Sequence, residues 1–232
     1  MQDRSSIDQT LNALFDAERT VRRLHDDLAR QPEATLLAAL TDAIAAALRE
    51  SDDDEAGLRL VRISSLLGEL EGPGVVDALI DVLTSENPEA RSHAGEVLEG
   101  LAFDRFKEVA RGVERALKRL PSGSPALPEL PYILVEIPEP GVVKLLAQFL
   151  RHGDADAVAA AIEALVQVGD PSAARMIEPL VDDMRTVELD EDGSDGSTEL
   201  TLGELAEEAL EILEGGDDGG DEEPSNGQGR AS

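Results

Sequence analysis

The amino-acid sequence predicts an all-α protein, a right-handed α-solenoid built from about five helical hairpins. The main observation is a recurring pattern, apolar-Leu-x-x-apolar, centred on Leu67, Leu98, Leu134 and Leu165 at intervals of 31, 36 and 31 residues. The segment Pro-Gly-Val-Val also occurs twice, at 73–76 and 140–143, and opens an apolar run each time. Ala and Leu are good helix formers, and a period of about 33 residues is typical of stacked two-helix units.

Glycine and proline mark the junctions between the predicted helices. Breaks fall at 71–74, 103–104, 137–141 and 169–172, each shortly after a leucine of the repeated pattern. Proline suits the first helical turn because its missing N–H has no helical partner there, as at Pro73, Pro140 and Pro171. A fifth leucine, Leu210, follows after 45 residues, and an acidic insertion accounts for the longer interval. We therefore interpret Pro-Gly-Val-Val as a junction that repeats because the hairpin repeats.

Residues 1–50 are predicted to form an N-terminal helical hairpin, either a cap or a degenerate first repeat. Its helices cover 6–30 and 33–49, and a solenoid needs such caps because its end units would otherwise expose an apolar face. The first helix carries its apolar side chains on one side, at Ile7, Leu11, Leu14, Phe15, Val21, Leu24 and Leu28.

Residues 51–187 contain the predicted repeats, and a less regular region follows them. Within the repeats, apolar residues from Phe106 to Leu120 recur at spacings of 3 and 4, which predicts a helix over 104–119. The acidic segment 188–199 is predicted to be a mobile loop leading to a last helix at 200–214. It lacks the Gly and Glu positions of a calcium-binding loop. The low-complexity segment 215–232 predicts a disordered acidic tail.

Two stretches resemble the HEAT-repeat family, whose second helix typically reads Asp-Pro-x-Val-Arg-x-x-Ala-Ala-x-Ala-Leu-Gly. The first is similar at Asn87, Pro88, Arg91, Ala94 and Leu98. The second is similar at Asp154, Ala161, Ala164, Leu165 and the closing Gly169-Asp170-Pro171. The resemblance covers about 54–185 and is that of the short HEAT-like repeats also found in phycobilin-lyase subunits. The chain departs from the pattern at Val158, where the family has Arg, and over 122–140, where prolines shorten one hairpin.

Composition excludes several classes of chemistry and predicts a cytoplasmic protein. The chain has no Cys, so it has neither disulfides nor thiolate chemistry. Its first residues lack the basic and apolar regions of a signal peptide, and no uncharged apolar window is long enough to span a bilayer. We therefore expect no membrane insertion.

The charge is strongly negative and unevenly distributed. The formal net charge is −30, from 20 basic and 50 acidic residues. The segment 186–232 alone has 16 acidic residues and one basic residue, which is half of the net charge. Two interpretations stay open: adaptation to a high-salt cytoplasm, or binding to a basic partner. Direct nucleic-acid binding is not expected, because it depends on neutralising phosphates with Lys and Arg.

No catalytic, cofactor-binding or metal-binding residue is predicted, and the chain is not expected to be an enzyme. His25, His93 and His152 lie on three different predicted helices without metal-ligand spacing. No glycine-rich phosphate-binding motif is present. Carboxylates are so frequent that a pair of them carries no information about acid–base catalysis.

A candidate partner-binding surface follows from the leucine register and from the resemblance, which implies that second helices line a concave face. Residues placed outward on the four predicted second helices form polar strips, and they make this face acidic overall. Tyr132 lies in their middle, either as a contact anchor or packed beside the prolines. The predicted partner-binding residues are Arg62, Ser65, Glu69, His93, Glu96, Tyr132, Glu136, Glu163 and Gln167.

Five basic residues form a second candidate site on one face of the 104–119 helix. One interpretation is a solvated face paired with acidic neighbours. The other is a docking stripe for an acidic segment, such as the 188–199 loop or the tail. These residues are Lys107, Arg111, Arg115, Lys118 and Arg119.

These patterns favour a non-catalytic scaffold or adaptor module that presents an acidic concave surface to a protein with a basic segment. The alternative implied by the resemblance is a lyase- or isomerase-type subunit or a cofactor-maturation factor. A DNA-base glycosylase role is disfavoured, because such enzymes need a positive groove and aromatic residues against the flipped base. A third interpretation is that the tail mimics nucleic acid and sequesters a basic protein.

Overall fold

The computed structural model describes residues 4–190 and 197–215, and within them the chain is predominantly helical, as predicted. The α-helices of this part are α1 (Arg4–Ala29), α2 (Glu33–Ala47), α3 (Asp53–Leu67), α4 (Pro73–Val82), α5 (Pro88–Arg119), α6 (Ala126–Val135), α7 (Val142–Phe149), α8 (Ala155–Val168), α9 (Ala174–Ile177) and α10 (Leu202–Gly215). Two short strands, β1 (Thr186–Asp190) and β2 (Ser197–Thr201), precede α10. The chain divides into two compact units: unit 1, Met1–Ala116, and unit 2, Leu117–Ser232.

The core of unit 1 is formed by α2, α3, α4 and the greater part of α5. A glycine permits close packing in this core: a Cβ at Gly112 would lie 2.2 Å from Cγ1 of Val76, so α5 approaches α4 more closely than any larger residue would allow. The largest fully buried side chains of this unit are Leu60, Leu67, Leu79, Ile80, Leu83 and Leu98.

The break predicted at 103–104 is a kink inside a continuous α5. Arg105 has non-helical backbone angles, φ −134° and ψ 43°, between two helical stretches. Its guanidinium Nη2 donates to the carbonyl oxygen of Leu70 at 3.2 Å, which connects the kink to the end of the preceding hairpin. The sequence therefore located the change of direction to within a few residues.

Unit 2 has shorter helices around an equally apolar core. α6 spans only 10 residues and contains Pro131, and α7 spans 8 residues, so the shortened hairpin predicted from the prolines is present. α6 and α10 both contact α8. The largest fully buried side chains here are Phe149, Leu127, Leu130, Leu134, Leu146 and Ile162.

The segment predicted as a loop at 188–199 contains strands at both of its ends, which corrects that prediction. β1 and β2 pair antiparallel, with Val187 opposite Leu200 and Glu188 opposite Glu199. The physical reason is the β-branched residues that flank the acidic run, at Thr186, Val187 and Thr201. Residues 191–196, and the predicted tail from 216 onward, lie outside the described residues.

The last helix begins at a capping box directly after β2. The Glu204 N–H donates to Thr201 Oγ1 at 3.1 Å, and the Thr201 N–H donates to Glu204 Oε2 at 2.8 Å. The Glu204 carboxylate accepts from both the N–H and the hydroxyl of Thr201, and these two hydrogen bonds lower the pKa of Glu204 below its ordinary value. The reciprocal pair of residues satisfies donors that a helix start leaves unpaired, which explains why α10 starts at Leu202.

The leucine prediction is confirmed at four of its five positions. Leu67, Leu98, Leu134 and Leu165 are all 0% exposed. In the last hairpin the register is shifted by one residue, because Ala209 is buried whereas Leu210 is half-buried. Leu210 is thus not the predicted anchor of α10.

The first helix forms as predicted, but its predicted packing is wrong. No residue of α1 is buried. A side-chain hydrogen bond links α1 to the turn that follows α3, between His25 Nε2 and Glu69 Oε1 at 2.7 Å. The apolar side of α1 therefore does not close a hairpin with α2 in the way that a cap requires. No described helix is both long and apolar enough to cross a membrane.

Candidate partner-binding surface

Within each unit, one polar side chain links two consecutive second helices of the predicted hairpins, α3 and α5 in unit 1 and α6 and α8 in unit 2. We call this linking side chain the joint. In unit 1 the joint is Asn87, the residue that precedes α5. Its Oδ1 accepts the N–H of Ala90 at 2.9 Å, as an N-cap does, and its Nδ2 donates to the carbonyl oxygen and the Oδ2 of Asp53 at 3.2 and 3.0 Å. One side chain thus caps α5 and binds the start of α3, 34 residues earlier.

The corresponding joint of unit 2 is Asp154, 67 residues after Asn87. Its Oδ1 accepts the N–H of Ala157 at 2.8 Å and caps α8. Its Oδ2 accepts the N–H of Gly123 at 2.6 Å, in the turn that precedes α6 and 31 residues earlier. The Pro-Gly-Val-Val segment recurs after 67 residues, and so does a side chain that caps its own helix and hydrogen-bonds to the start of an earlier one.

Arg185 stabilises the turn that precedes Asp154 by a hydrogen bond to its backbone. Its Nη1 donates to the carbonyl oxygen of His152 at 2.8 Å, and its Nε and Nη2 bind the carboxylate of Asp183. The hydrogen bond from Arg185 holds the pKa of Asp183 below its ordinary value, so that carboxylate stays ionised and keeps the guanidinium in place.

In unit 1 the predicted surface residues are joined through histidines. Ser65 Oγ and His93 Nε2 are 2.9 Å apart, and His93 Nδ1 lies 3.7 Å from Glu96 Oε2. Glu69 pairs instead with His25 of α1. Arg62 is exposed. The structure therefore brings Ser65, His93 and Glu96 together, as the predicted register requires.

In unit 2 the predicted surface residues contact each other directly. Tyr132 Oη donates to Glu163 Oε2 at 2.6 Å, and Gln167 Nε2 donates to Glu136 Oε1 at 3.3 Å. Both pairs join α6 to α8 across 31 residues. All four of these residues are exposed, in agreement with the outward positions expected for them, and their role in binding a partner stays a prediction.

Partial burial, together with acidic neighbours, keeps the phenol of Tyr132 protonated. Its side chain remains 44% exposed. Burial of the rest of the ring raises the pKa of Tyr132 above its ordinary value, followed by its hydrogen bond to Glu163 and the charges of Glu163 and Glu129. The phenol is thus a fixed donor that orients the Glu163 carboxylate.

Next to this pair, a groove of about 380 Å³ runs between α8 and α10. Its floor is apolar and its rim has carboxylates. Ile212 is 54% exposed there, although it is a large apolar residue. The lining residues are Ile162, Glu163, Val166, Gln167, Leu205, Glu208, Ala209 and Ile212.

Sequence reasoning included Glu163 and Gln167 but missed the α10 side of the groove. The leucine pattern placed the anchor of α10 at Leu210, one residue away from the buried Ala209. With that register, Ile212 was not recognised as an outward residue. The available signal was that α10 has more apolar residues than one buried stripe can hold.

The predicted basic stripe is only partly available for docking. Arg115 binds Asp77 of α4 through Nε and Nη2, at 2.9–3.2 Å, and also donates to the carbonyl oxygen of Pro73. This supports the interpretation of a basic face paired with acidic neighbours, and Arg115 is not part of a free stripe. Lys107, Arg111, Lys118 and Arg119 are exposed.

Within residues 4–190 and 197–215, no group of three or more His, Cys, Asp or Glu side chains is placed to hold a metal ion. The α8–α10 groove combines an apolar floor with the carboxylates of Glu163 and Glu208, of which Glu163 is held by Tyr132.

No protein-family model matches the chain, and neither does any curated protein. Among solved structures, it is similar to three engineered proteins whose crystal structures come from the Northeast Structural Genomics Consortium. Their sequence identities to the chain are 22%, 17% and 21%, with TM-scores of 0.34, 0.36 and 0.29. The matches cover 85%, 93% and 83% of this chain, and 90%, 95% and 53% of the engineered proteins.

Proposed function

We propose that the chain is a HEAT-like solenoid that works as a protein-binding module, and that its α8–α10 groove takes a basic amphipathic segment of a partner. The observation that carries the proposal is the groove itself. An exposed Ile212 lines the same groove as the carboxylates of Glu163 and Glu208, so one site combines uncovered apolar surface with negative charge.

Local geometry supports the HEAT-like part of the proposal. Asn87 and Asp154 occupy the first position of the family pattern, and each caps the helix that follows it. Arg91 occupies the family's Arg position and donates through Nη1 to the carbonyl oxygens of Ser85 and Glu86, both at 2.9 Å. The turn before α5 is thus fixed by the residues that the pattern specifies. At the equivalent place in unit 2, Val158 is buried.

The apolar floor would supply most of the affinity. Burying one Leu or Ile side chain contributes about 1.5–3 kcal/mol, whereas an exposed ion pair contributes about 0–1 kcal/mol. The carboxylates would instead set the orientation of the bound segment and exclude acidic segments. A fitting partner helix therefore has Leu or Ile along one face and Lys or Arg beside it.

Tyr132 gives the rim of the groove its rigidity. A free glutamate side chain loses rotamer entropy when it binds a cation. The hydrogen bond from Tyr132 already holds Glu163 in place, which reduces that loss. The pair Glu136–Gln167 fixes the adjacent position of the rim in the same way.

The test uses a fluorescent synthetic helix of Leu and Lys, with its Leu residues on one face, and measures anisotropy with the full chain. We expect binding, and we expect Ile212→Ser and Glu208→Lys each to weaken it about five- to tenfold, because each removes one component of the groove. The matched control is Glu178→Lys, which makes the same charge change at an exposed residue outside the groove lining.

The comparison peptide has the same composition in an order that scatters Leu around the helix. It has the same charge, so attraction to a protein of net charge −30 is unchanged. If both peptides bind equally, or if Ile212→Ser and Glu208→Lys both bind like the wild type, the groove is not the binding site.

A further inference from the structure

The N-terminal helix has an apolar stripe that nothing in the described structure covers. Ile7, Leu11, Leu14 and Phe15 lie on one side of α1, at spacings of 3 and 4, and are 42–60% exposed. Every residue from 4 to 20 is exposed, whereas Val21 and His25 are half-buried. α1 is thus partly covered by the rest of unit 1 only at Val21 and His25, and Leu24 and Leu28 in its second half stay exposed like the stripe of its first half.

The exposed stripe on α1 indicates an interaction surface. Contiguous apolar side chains left exposed to water mark such surfaces, and α1, with 26 residues, is long enough to pack along a partner helix. The spacing of the stripe indicates what packs there: Ile7, Leu14, Val21 and Leu28 follow one another at seven-residue intervals. A seven-residue apolar repeat is typical of a helix that packs along another helix.

The distribution of charge along α1 indicates which helix packs against it. Residues 5–18 contain three acidic residues and no basic one, whereas 19–30 contain four Arg and two Asp. In an antiparallel pair of α1 helices, the acidic half of each lies beside the basic half of the other. α1 as a whole has four Arg and five acidic residues, so it is close to neutral in a chain of net charge −30. Two copies can therefore meet along α1 with little electrostatic repulsion.

We propose that α1 pairs antiparallel with α1 of a second copy of this chain, so that the chain is a homodimer joined through Ile7, Leu11, Leu14 and Phe15. Such an interface is isologous, because the same stripe faces itself. The inference is independent of the groove between α8 and α10, which lies in unit 2.

A membrane surface is the rival cover, and the charges disfavour it. Interfacial helices have a polar face rich in Lys and Arg, which is attracted to anionic lipids. The polar side of α1 instead mixes Arg19 and Arg23 with Asp16 and Asp27, and the structure pairs them within the helix.

Sedimentation equilibrium of the full chain is the first test. The wild type should sediment at twice the monomer mass of 24.7 kDa. The triple substitution Leu11→Gln, Leu14→Gln and Phe15→Gln should raise the dimer dissociation constant by about a hundredfold or more. Since these side chains are exposed in the monomer, its helical circular dichroism should persist. The matched control, Asn12→Gln with Arg19→Gln and Asp26→Gln, changes the opposite side of α1 at constant net charge and should remain dimeric.

A disulfide test determines the direction of pairing, since the chain has no Cys of its own. In an antiparallel pair, a residue near the middle of the overlap meets its own copy, whereas a residue near one end does not. With 5–18 of each helix beside 19–30 of the other, the middle of the overlap falls near Ala17. Ala17→Cys should therefore form a covalent dimer in oxidised glutathione, and Ile7→Cys should not. In a parallel pair both would cross-link.

Three results would overturn the proposal. One is a wild type that stays monomeric at the concentrations used. Another is a triple variant that dimerises as strongly as the wild type. The third is a monomeric wild type that binds phosphatidylserine vesicles and loses that binding in the triple variant, which would assign the stripe to a membrane surface. Cross-linking of both cysteine variants would overturn the antiparallel arrangement.

Discussion

The two units make the same joint with opposite hydrogen-bond polarity. In unit 1 the amide of Asn87 donates to Asp53, and in unit 2 the carboxylate of Asp154 accepts from Gly123. In both units the same side chain also caps its own helix, through the N–H three residues later. The positions are 67 residues apart and geometrically equivalent, yet the residue types differ.

The difference follows from what each side chain meets. Asn87 faces oxygen atoms of Asp53, which can only accept, so it needs a donor as well as the acceptor used for the cap. Asp154 faces two backbone N–H groups, so two acceptor oxygens satisfy both. The repeated fold therefore determines where the joint lies in each unit. Whether the joint is Asn or Asp depends on whether the group that it contacts is a hydrogen-bond acceptor or a donor.

The largest predicted effect is the loss of either joint. Asp154→Ala should lower the free energy of unfolding by about 3 kcal/mol, because charge-assisted hydrogen bonds are stronger and two N–H groups lose their acceptor. Asn87→Ala should cost about 2 kcal/mol. The control is Asp52→Ala, which removes an N-cap without a second contact and should cost about 1 kcal/mol. Urea unfolding followed by circular dichroism measures all three, and equal losses would contradict a double role for Asn87 and Asp154.

Exchanging the two residue types tests their polarity. Asp154→Asn should cost about 2 kcal/mol, because its NH₂ group then faces a backbone N–H. Asn87→Asp should cost about as much at neutral pH, because two carboxylates then meet 3.0 Å apart, and the loss should shrink on acidification as one of them is protonated.

The double variant Asn87→Asp with Asp53→Asn restores one donor and one acceptor to the unit 1 joint. It should recover most of the loss seen in Asn87→Asp alone. No recovery in urea unfolding would show that the orientation of this hydrogen bond does not matter.

Two equivalent small residues should respond to alanine with opposite signs. A Cβ at Gly57 would lie 2.7–2.8 Å from the Asn87 side chain, so Gly57→Ala should cost about 1 kcal/mol even though alanine is the better helix former by a similar amount. Ser124 follows Gly57 by 67 residues, and its buried Oγ has no hydrogen-bond partner among the described residues. Ser124→Ala should therefore leave stability unchanged or raise it by about 0.5–1 kcal/mol. Thermal unfolding of both variants measures the contrast, and a loss in both would contradict it.

The smallest effect concerns the surface above each joint. In unit 2 Tyr132 reaches Glu163 directly, whereas in unit 1 the equivalent Ser65 contacts His93, which lies beside Glu96. Glu163→Gln should lower the pKa of Tyr132 towards its ordinary value without reaching it, because burial is the largest cause of the rise. Tyr132 is the only Tyr and the chain has no Trp, so ultraviolet absorbance during alkaline titration reports on it alone. An unchanged midpoint would show that Glu163 does not bind the phenol.

The sequence predicted the helical core well because the spacing of apolar residues along a helix shows which of its side chains are buried. Leu67, Leu98, Leu134 and Leu165 could be identified as buried, and Asn87 and Asp154 as helix starts, since caps and apolar spacing are local signals. The outward register of Tyr132 and Glu163 follows from the same spacing.

The failures have two causes. The strands at 186–190 and 197–201 were missed because their stretch has the acidic composition of a loop, and the other failures depend on contacts between residues far apart in the sequence. The pairing of Arg115 with Asp77 spans 38 residues, and the exposure of the α1 stripe depends on where α2 leads the chain. Neither is encoded in local periodicity.

Amide hydrogen exchange at Gly123, measured by NMR in the wild type and in Asp154→Ala, tests the central claim most directly. If Asp154 joins two consecutive second helices, the Gly123 N–H is protected in the wild type. Its protection should then fall in the variant together with that of Ala157, 31 and 3 residues away from the substitution. A Gly123 amide that exchanges freely in the wild type, or whose protection survives the loss of Asp154, would contradict the account.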